Sequence, residues 1–164
     1  MIAELIFAAA EFFSGDPKRI QHFIKVHSLA RLIGAAEGLD GEELLTLEAA
    51  AVVHDVGIKP AEEKYGNCSG KLQEQEGPAA AEPLLRKCGF EEGVVQRVLW
   101  LVAHHHTYDN IDSADWQILV EADFLVNLYE DGADGETVRA AMDRVFATET
   151  GIRLCRTFFS TALK

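Results

Sequence analysis

The chain has 164 residues, 48% of them hydrophobic, which suits one domain with a sizeable core. Fifteen lysines and arginines against 27 aspartates and glutamates give a net charge of −12, which disfavours a nucleic-acid polymer or an anionic membrane as the main partner. Its three cysteines, Cys68, Cys88 and Cys155, form no Cys-x-x-Cys pair. Neither a disulfide framework nor a zinc knuckle is indicated, and a reducing cytoplasm is the expected compartment.

Residues 1–13 are apolar but carry Glu4 and Glu11 without a basic leader, so they read as an amphipathic helix rather than a signal peptide. No run is long enough to span a bilayer. In Ser14-Gly15-Asp16-Pro17 the glycine ends that helix, the aspartate caps the next and the proline suits its first turn, predicting a second helix over 17–37. Gly38-Leu39-Asp40-Gly41 breaks the pattern, and a third helix runs over 42–53. Pro60 and the polar stretch from Tyr65 to Gly70 predict a loop. Residues 71–87 are helical in composition, with a kink or a late start expected near Pro78 because of Gly77-Pro78 and Pro83. Further amphipathic segments over 91–105, 115–130, 136–146 and 152–163 complete an all-α reading of about six to eight helices, with no convincing strand and no internal repeat.

The candidate chemistry starts in Ala49-Ala50-Ala51-Val52-Val53-His54-Asp55-Val56-Gly57, an apolar run ending in an imidazole beside a carboxylate. An unpaired buried charge costs several kcal/mol, so this pair needs a partner, either a divalent cation or a mutual hydrogen bond. Imidazole with carboxylate oxygen suits Zn, Fe, Mn or Co. The second helix holds His22 and His27, five residues and hence about 140° apart, so both cannot easily face one site. His22 continues as Val26, Leu29 and Ile33, an inward track, whereas His27 continues as Arg31 and Gly34 and is expected on the boundary. Downstream come His104-His105-His106 at a helix end and Asp123 between Ala122 and Phe124, a carboxylate that also needs a partner.

In this order His22, the His54-Asp55 pair and Asp123 resemble the motif of the HD-domain superfamily of metal-dependent phosphohydrolases, as do the flanking segments Arg19-x-x-His22-x-x-x-Val26, Val53-His54-Asp55-Val56-Gly57 and Glu121-Ala122-Asp123-x-Leu125. The resemblance covers residues 19–130, within a single domain spanning 1–164. It implies a compact helical fold around a metal site in which His22, His54, Asp55 and Asp123 ligate a divalent ion (Mn, Fe, Co, Zn or Mg). Two-metal members add a histidine before a Gly-Ala helix and a later histidine pair. His104-His105 matches that pair, but Gln73-Glu74-Gln75-Glu76 stands where the extra histidine is expected. Either Glu74 or Gln73 then supplies an oxygen beside His104 and His105, or one ion is present and those histidines contact phosphate. The implied activity is hydrolysis of a nucleotide or another small phosphorylated metabolite, with Asp55, His104 and His105 as catalytic candidates, Lys59 as a phosphate contact and His106 and Tyr108 at the rim. Alternatives in the same fold are a di-iron oxygenase and a catalytically degenerate metal- or ligand-binding module. A small-molecule partner is expected, and a homodimer is compatible with the sequence.

Overall fold

A computed structural model describes residues 1–163. Among them the chain forms nine α-helices and no strand: α1 (Ile2–Phe12), α2 (Pro17–Ala36), α3 (Gly41–Val53), α4 (Ile58–Tyr65), α5 (Gly70–Lys87), α6 (Glu92–Val102), α7 (Ala114–Glu130), α8 (Gly135–Val145) and α9 (Glu149–Phe158). No helix among the described residues is long and apolar enough to cross a membrane.

The centre of the fold is α3, whose residues from Thr46 to Val53 are all buried. Its alanines at 49–51 leave room for neighbours on every side, and α1, α2, α6 and α7 pack around it. Side chains such as Phe23, Leu47, Leu101, Ile118, Leu119 and Leu125 fill the space between these helices. Each contributes about 1.5–3 kcal/mol by leaving water. Asp16 caps α2 by accepting from the Arg19 backbone N–H at 3.1 Å, with Pro17 in the first turn as the sequence predicts. The α4–α5 pair lies against α6, while α8 and α9 rest on α7.

The stretch expected as a loop around Pro60 is the helix α4. Pro60 is the third residue of that helix, where no intrahelical acceptor awaits its missing N–H, so it does not break the turn. Gly66, at φ +71°, closes the helix in the left-handed conformation. Likewise α5 starts at Gly70 rather than near Pro78 and runs through both prolines. Its first half is held from outside: Gln73 Nε2 donates to the Cys68 carbonyl at 2.8 Å, and Glu76 is bound by Lys64 and by the Tyr65 hydroxyl of α4. The fifth of the expected helices stops three residues short, at Val102, and residues 103–106 form a turn. The last helix begins three residues early because Thr148 caps it, its Oγ1 accepting from Gly151 N at 2.9 Å.

Gly57, directly after the His54-Asp55 turn, is where α5 crosses the chain most closely. A Cβ there would stand against the Gln73 carbonyl and 2.9 Å from Gly77 N, both of them backbone atoms that cannot swing aside. Gly57→Ala is therefore expected to push α5 outward and to cost about 1–3 kcal/mol, lowering Tm by roughly 2–12 °C. A thermal melt checks this, and an unchanged Tm would mean that α5 is seated differently.

Candidate metal centre

Five side chains from four parts of the chain meet in one cleft. α2 supplies His22 from its inward face, the end of α3 supplies His54 and Asp55, the turn after α6 supplies His105, and the middle of α7 supplies Asp123. His22 Nε2 lies 3.1 Å from Asp123 Oδ1, 3.3 Å from His54 Nε2 and 3.4 Å from Asp55 Oδ2. His54 Nε2 is 3.5 Å from both Asp55 Oδ2 and Asp123 Oδ1, and His105 Nε2 is 3.5 Å from Asp55 Oδ1. The two oxygens of Asp55 thus face opposite ways, one towards His22 and His54 and the other towards His105. The Asp55 side chain, 18% exposed, is the most open of the set, whereas His54 is fully buried.

The surroundings fix which nitrogen of each ring bears the proton. His54 Nδ1 donates to the Ala51 carbonyl at 2.9 Å, and His105 Nδ1 donates to the Val102 carbonyl at 2.8 Å. His22 Nδ1 donates to Glu130 Oε2 at 3.1 Å, and the other Glu130 oxygen accepts from Lys25 at 2.6 Å. Carbonyls and carboxylates only accept, so in the neutral rings all three Nε2 atoms carry lone pairs directed into the cleft. His105 Nε2 is buried without any hydrogen-bond partner. Asp123 Oδ1 also accepts from Asn127 Nδ2 at 2.9 Å, one helical turn on. Lone pairs and carboxylates that converge, each held in place from behind, form a socket for a cation. Two sets could hold one, His22 with His54 and Asp123, and Asp55 with His105 and His106.

Electrostatics give the same picture. Burial alone would lower the His54 pKa, but Asp55 and Asp123 outweigh it and raise it to about 9. His22 is raised as well, burial being outweighed by its bond to Asp123 and the charge of Asp55. Burial opposes the charge on Asp55, yet His54 and His105 bring its pKa down to about 2, and Asp123 is held well below the usual range by His22 and His54. Protons on the histidines substitute for a positive ion. A raised histidine stabilises the fold fully below its ordinary 6.5 and loses that contribution as pH climbs to about 9; a lowered Asp55 contributes above 3.8 and loses it as pH falls to about 2. Chelator-treated protein is therefore expected to have its highest Tm between about pH 4 and 6.5, to lose stability from 6.5 to 9, and to regain it when metal is restored. A flat Tm across pH 6.5–9 would show that no such proton is held.

Several sequence expectations are corrected by the placement of the side chains. His104 does not reach the cleft: its Nδ1 bonds the Trp100 carbonyl at 2.7 Å and its ring stacks on Trp100 at 4.1 Å, with Trp116 at 6.0 Å. With its Nδ1 tied to Trp100 and its ring between the two tryptophans, His104 leaves the turn on the side away from His105 and His106. His106 lies on the cleft side instead. Its Nε2 is 3.1 Å from Gln73 Oε1 and its Nδ1 is 3.1 Å from the Tyr108 hydroxyl. Burial, and then His105, press its pKa down to about 4. Glu74 is turned away as well, its Oε1 accepting from the His106 backbone N–H at 3.0 Å and from Thr107 Oγ1 at 2.9 Å, so it braces the turn that presents His105 and His106. Lys59 reaches the Phe12 carbonyl at the end of α1, at 3.2 Å, and lies over the Phe12 ring. His27 faces α3, where it shares Glu48 Oε1 with Arg31.

The sequence reading did not single out Glu130, Lys25 or Asn127, which orient His22 and Asp123. Spacing could have found two of them, since Lys25 follows His22 by three residues and Asn127 follows Asp123 by four.

A family model described as HD domain matches residues 19–141. No curated protein and no solved structure matches the chain.

Proposed function

The chain belongs to the HD-domain family, and on that premise we propose that it is a metal-dependent phosphohydrolase acting on a nucleotide or another small phosphorylated metabolite. The observation that carries this reading is the convergence of three Nε2 lone pairs on two carboxylates, with His105 Nε2 left partnerless in the interior.

His22, His54, Asp55 and Asp123 would hold the first divalent ion, for which imidazole and carboxylate donors suit Mn, Fe, Co or Zn. A bound divalent ion supplies an acidified water and neutralises negative charge on phosphorus. The protein contributes position. Glu130 fixes the ring of His22, Asn127 fixes Asp123, and the carbonyls of Ala51 and Val102 fix His54 and His105. Asp55, the most open of the set, would face the entering substrate. A second ion beside Asp55 Oδ1 is favoured by the unpaired His105 Nε2, with His106 as its further nitrogen donor.

The test is metal analysis of purified protein, followed by a panel of phosphoesters before and after chelation. At least one divalent ion per chain and hydrolysis that disappears with chelator are expected. His22→Ala should lose the ion, whereas His27→Ala, which alters only the contact to Glu48, should keep it. Metal-loaded protein that hydrolyses no phosphoester would overturn the proposal.

A further inference from the structure

A cavity of about 450 Å³ shares a wall with the metal centre. That wall is Tyr108, whose hydroxyl bonds His106 at 3.1 Å and whose ring meets Phe124 edge to face at 5.1 Å. Phe124 in turn follows Asp123 directly on α7. The opposite side of the cavity is α8, which offers the small side chains of Ala140 and Ala141 and, one turn further, the guanidinium of Arg144. Two aromatic rings and two alanines make an open, largely apolar slot that can take the face of an aromatic ring.

Arg144 distinguishes this slot chemically. Arg19, Arg31, Arg86 and Arg97 are each ion-paired; Arg144, like Arg139, Arg153 and Arg156, has no carboxylate within ion-pair distance among the described residues, and of these four it is the one that lines the cavity beside Tyr108. The two carboxylates that also line the cavity, Asp134 and Glu136, sit at the start of α8, where Asp134 caps the helix through the Thr137 N–H, and Arg144 lies about two turns further on. In a chain of net charge −12, a lone guanidinium at the edge of such a slot is a recognition element for an acceptor group.

We infer that the slot between Tyr108, Phe124 and α8 receives the organic group of the phosphoester, a flat ring with an acceptor or anionic substituent on its edge, and that Arg144 reads this substituent. The inference rests on the phosphohydrolase reading for the position of the phosphate. Arg144 is thus a specificity-determining residue, and Ala140 and Ala141 set the width of the slot.

Three probes separate the contributions: 4-carboxyphenyl phosphate, phenyl phosphate and methyl phosphate, each assayed with metal-loaded protein of measured metal content. Wild type is expected to have its lowest KM for the first and its highest for the last. Arg144→Ala should erase most of the advantage of 4-carboxyphenyl over phenyl phosphate, a change of about 3–10-fold in the ratio of KM values for a charge-assisted contact at an exposed site. Arg144→Lys should recover part of it. Ala140→Trp, at an exposed position of α8, should fill the slot and raise KM for both ring compounds relative to methyl phosphate. If Arg144→Ala leaves the first ratio unchanged, or Ala140→Trp leaves the second unchanged, the inference fails while the phosphohydrolase reading stands. If wild type hydrolyses none of the three, the wider phosphoester panel decides the phosphohydrolase reading, and the same ratios read as Kd by calorimetry decide the slot by itself.

Discussion

Asp123→Asn is expected to abolish metal retention and phosphoester hydrolysis while leaving the far-UV circular dichroism spectrum unchanged. The substitution keeps the volume of the side chain and its place on α7, so packing against His22, His54 and Asn127 survives. It removes the charge that offsets two raised histidines. Loss of an outer partner of a metal ligand typically costs 10–100-fold in affinity or activity, and loss of a ligand itself should exceed about 100-fold. Metal content and hydrolysis, measured on the same preparation, check it. Activity near wild type with metal bound would remove Asp123 from the ligand set. Glu121 could not replace it, since that carboxylate is already committed elsewhere.

That commitment underlies the second large effect. Glu121 is fully buried, yet it accepts from Gln117 Nε2 at 2.7 Å, from the backbone N–H groups of Ala147 and Thr148 at 2.7 and 2.8 Å, and from Thr148 Oγ1 at 2.5 Å. It fastens the start of α9 to the middle of α7. Glu121→Ala would strand these donors in the interior, and the expected loss is about 3–5 kcal/mol, or roughly 6–20 °C in Tm. A Cβ at Gly151 would collide with the same carboxylate, so Gly151→Ala is expected to shift the melt in the same direction. The folded fraction of either variant should still bind metal, which separates this pair from Asp123→Asn. A melt of Glu121→Ala within 2 °C of wild type would mean that the carboxylate does not anchor α9.

How much of this was legible in the sequence depends on the range of the interactions involved. The helical architecture follows from local patterns, and the track from His22 to Ile33 turns His22 inward without reference to any other helix, while its place beside His54 comes from the packing of α2 on α3. α4 was hidden by Pro60 because a proline in the first turn looks, in sequence, like a proline that ends one. The early start of α5 depends on Lys64, Tyr65 and Cys68, which belong to a different element. The choice between His104, His105 and His106 depended on where α6 stops. Helix composition does not show that Glu74 reaches across from α5 to brace the following turn. Arg144 and the slot beside Tyr108 arise only once α8 lies on α7.

The stack that removes His104 from the cleft has a spectroscopic consequence. The chain has two tryptophans, and both belong to that stack: Trp100 lies against His104 and the Arg97 guanidinium, and Trp116 donates its indole N–H to the His104 carbonyl at 3.0 Å. His105 is the next residue, so a cation that engages its Nε2 draws on the peptide unit to which an indole is bonded. Intrinsic fluorescence therefore reports most directly on the His105 side of the cleft: His22 and His54 come from helices that carry no tryptophan, and Asp123, which shares α7 with Trp116, stands about two turns further along it. A metal titration followed by tryptophan emission alongside calorimetry would separate ions by location: heat with the smaller fluorescence change marks an ion at His22, His54 and Asp123, and heat with the larger one marks an ion at His105. No label is required, because the protein carries its own optical probe at one end of the site.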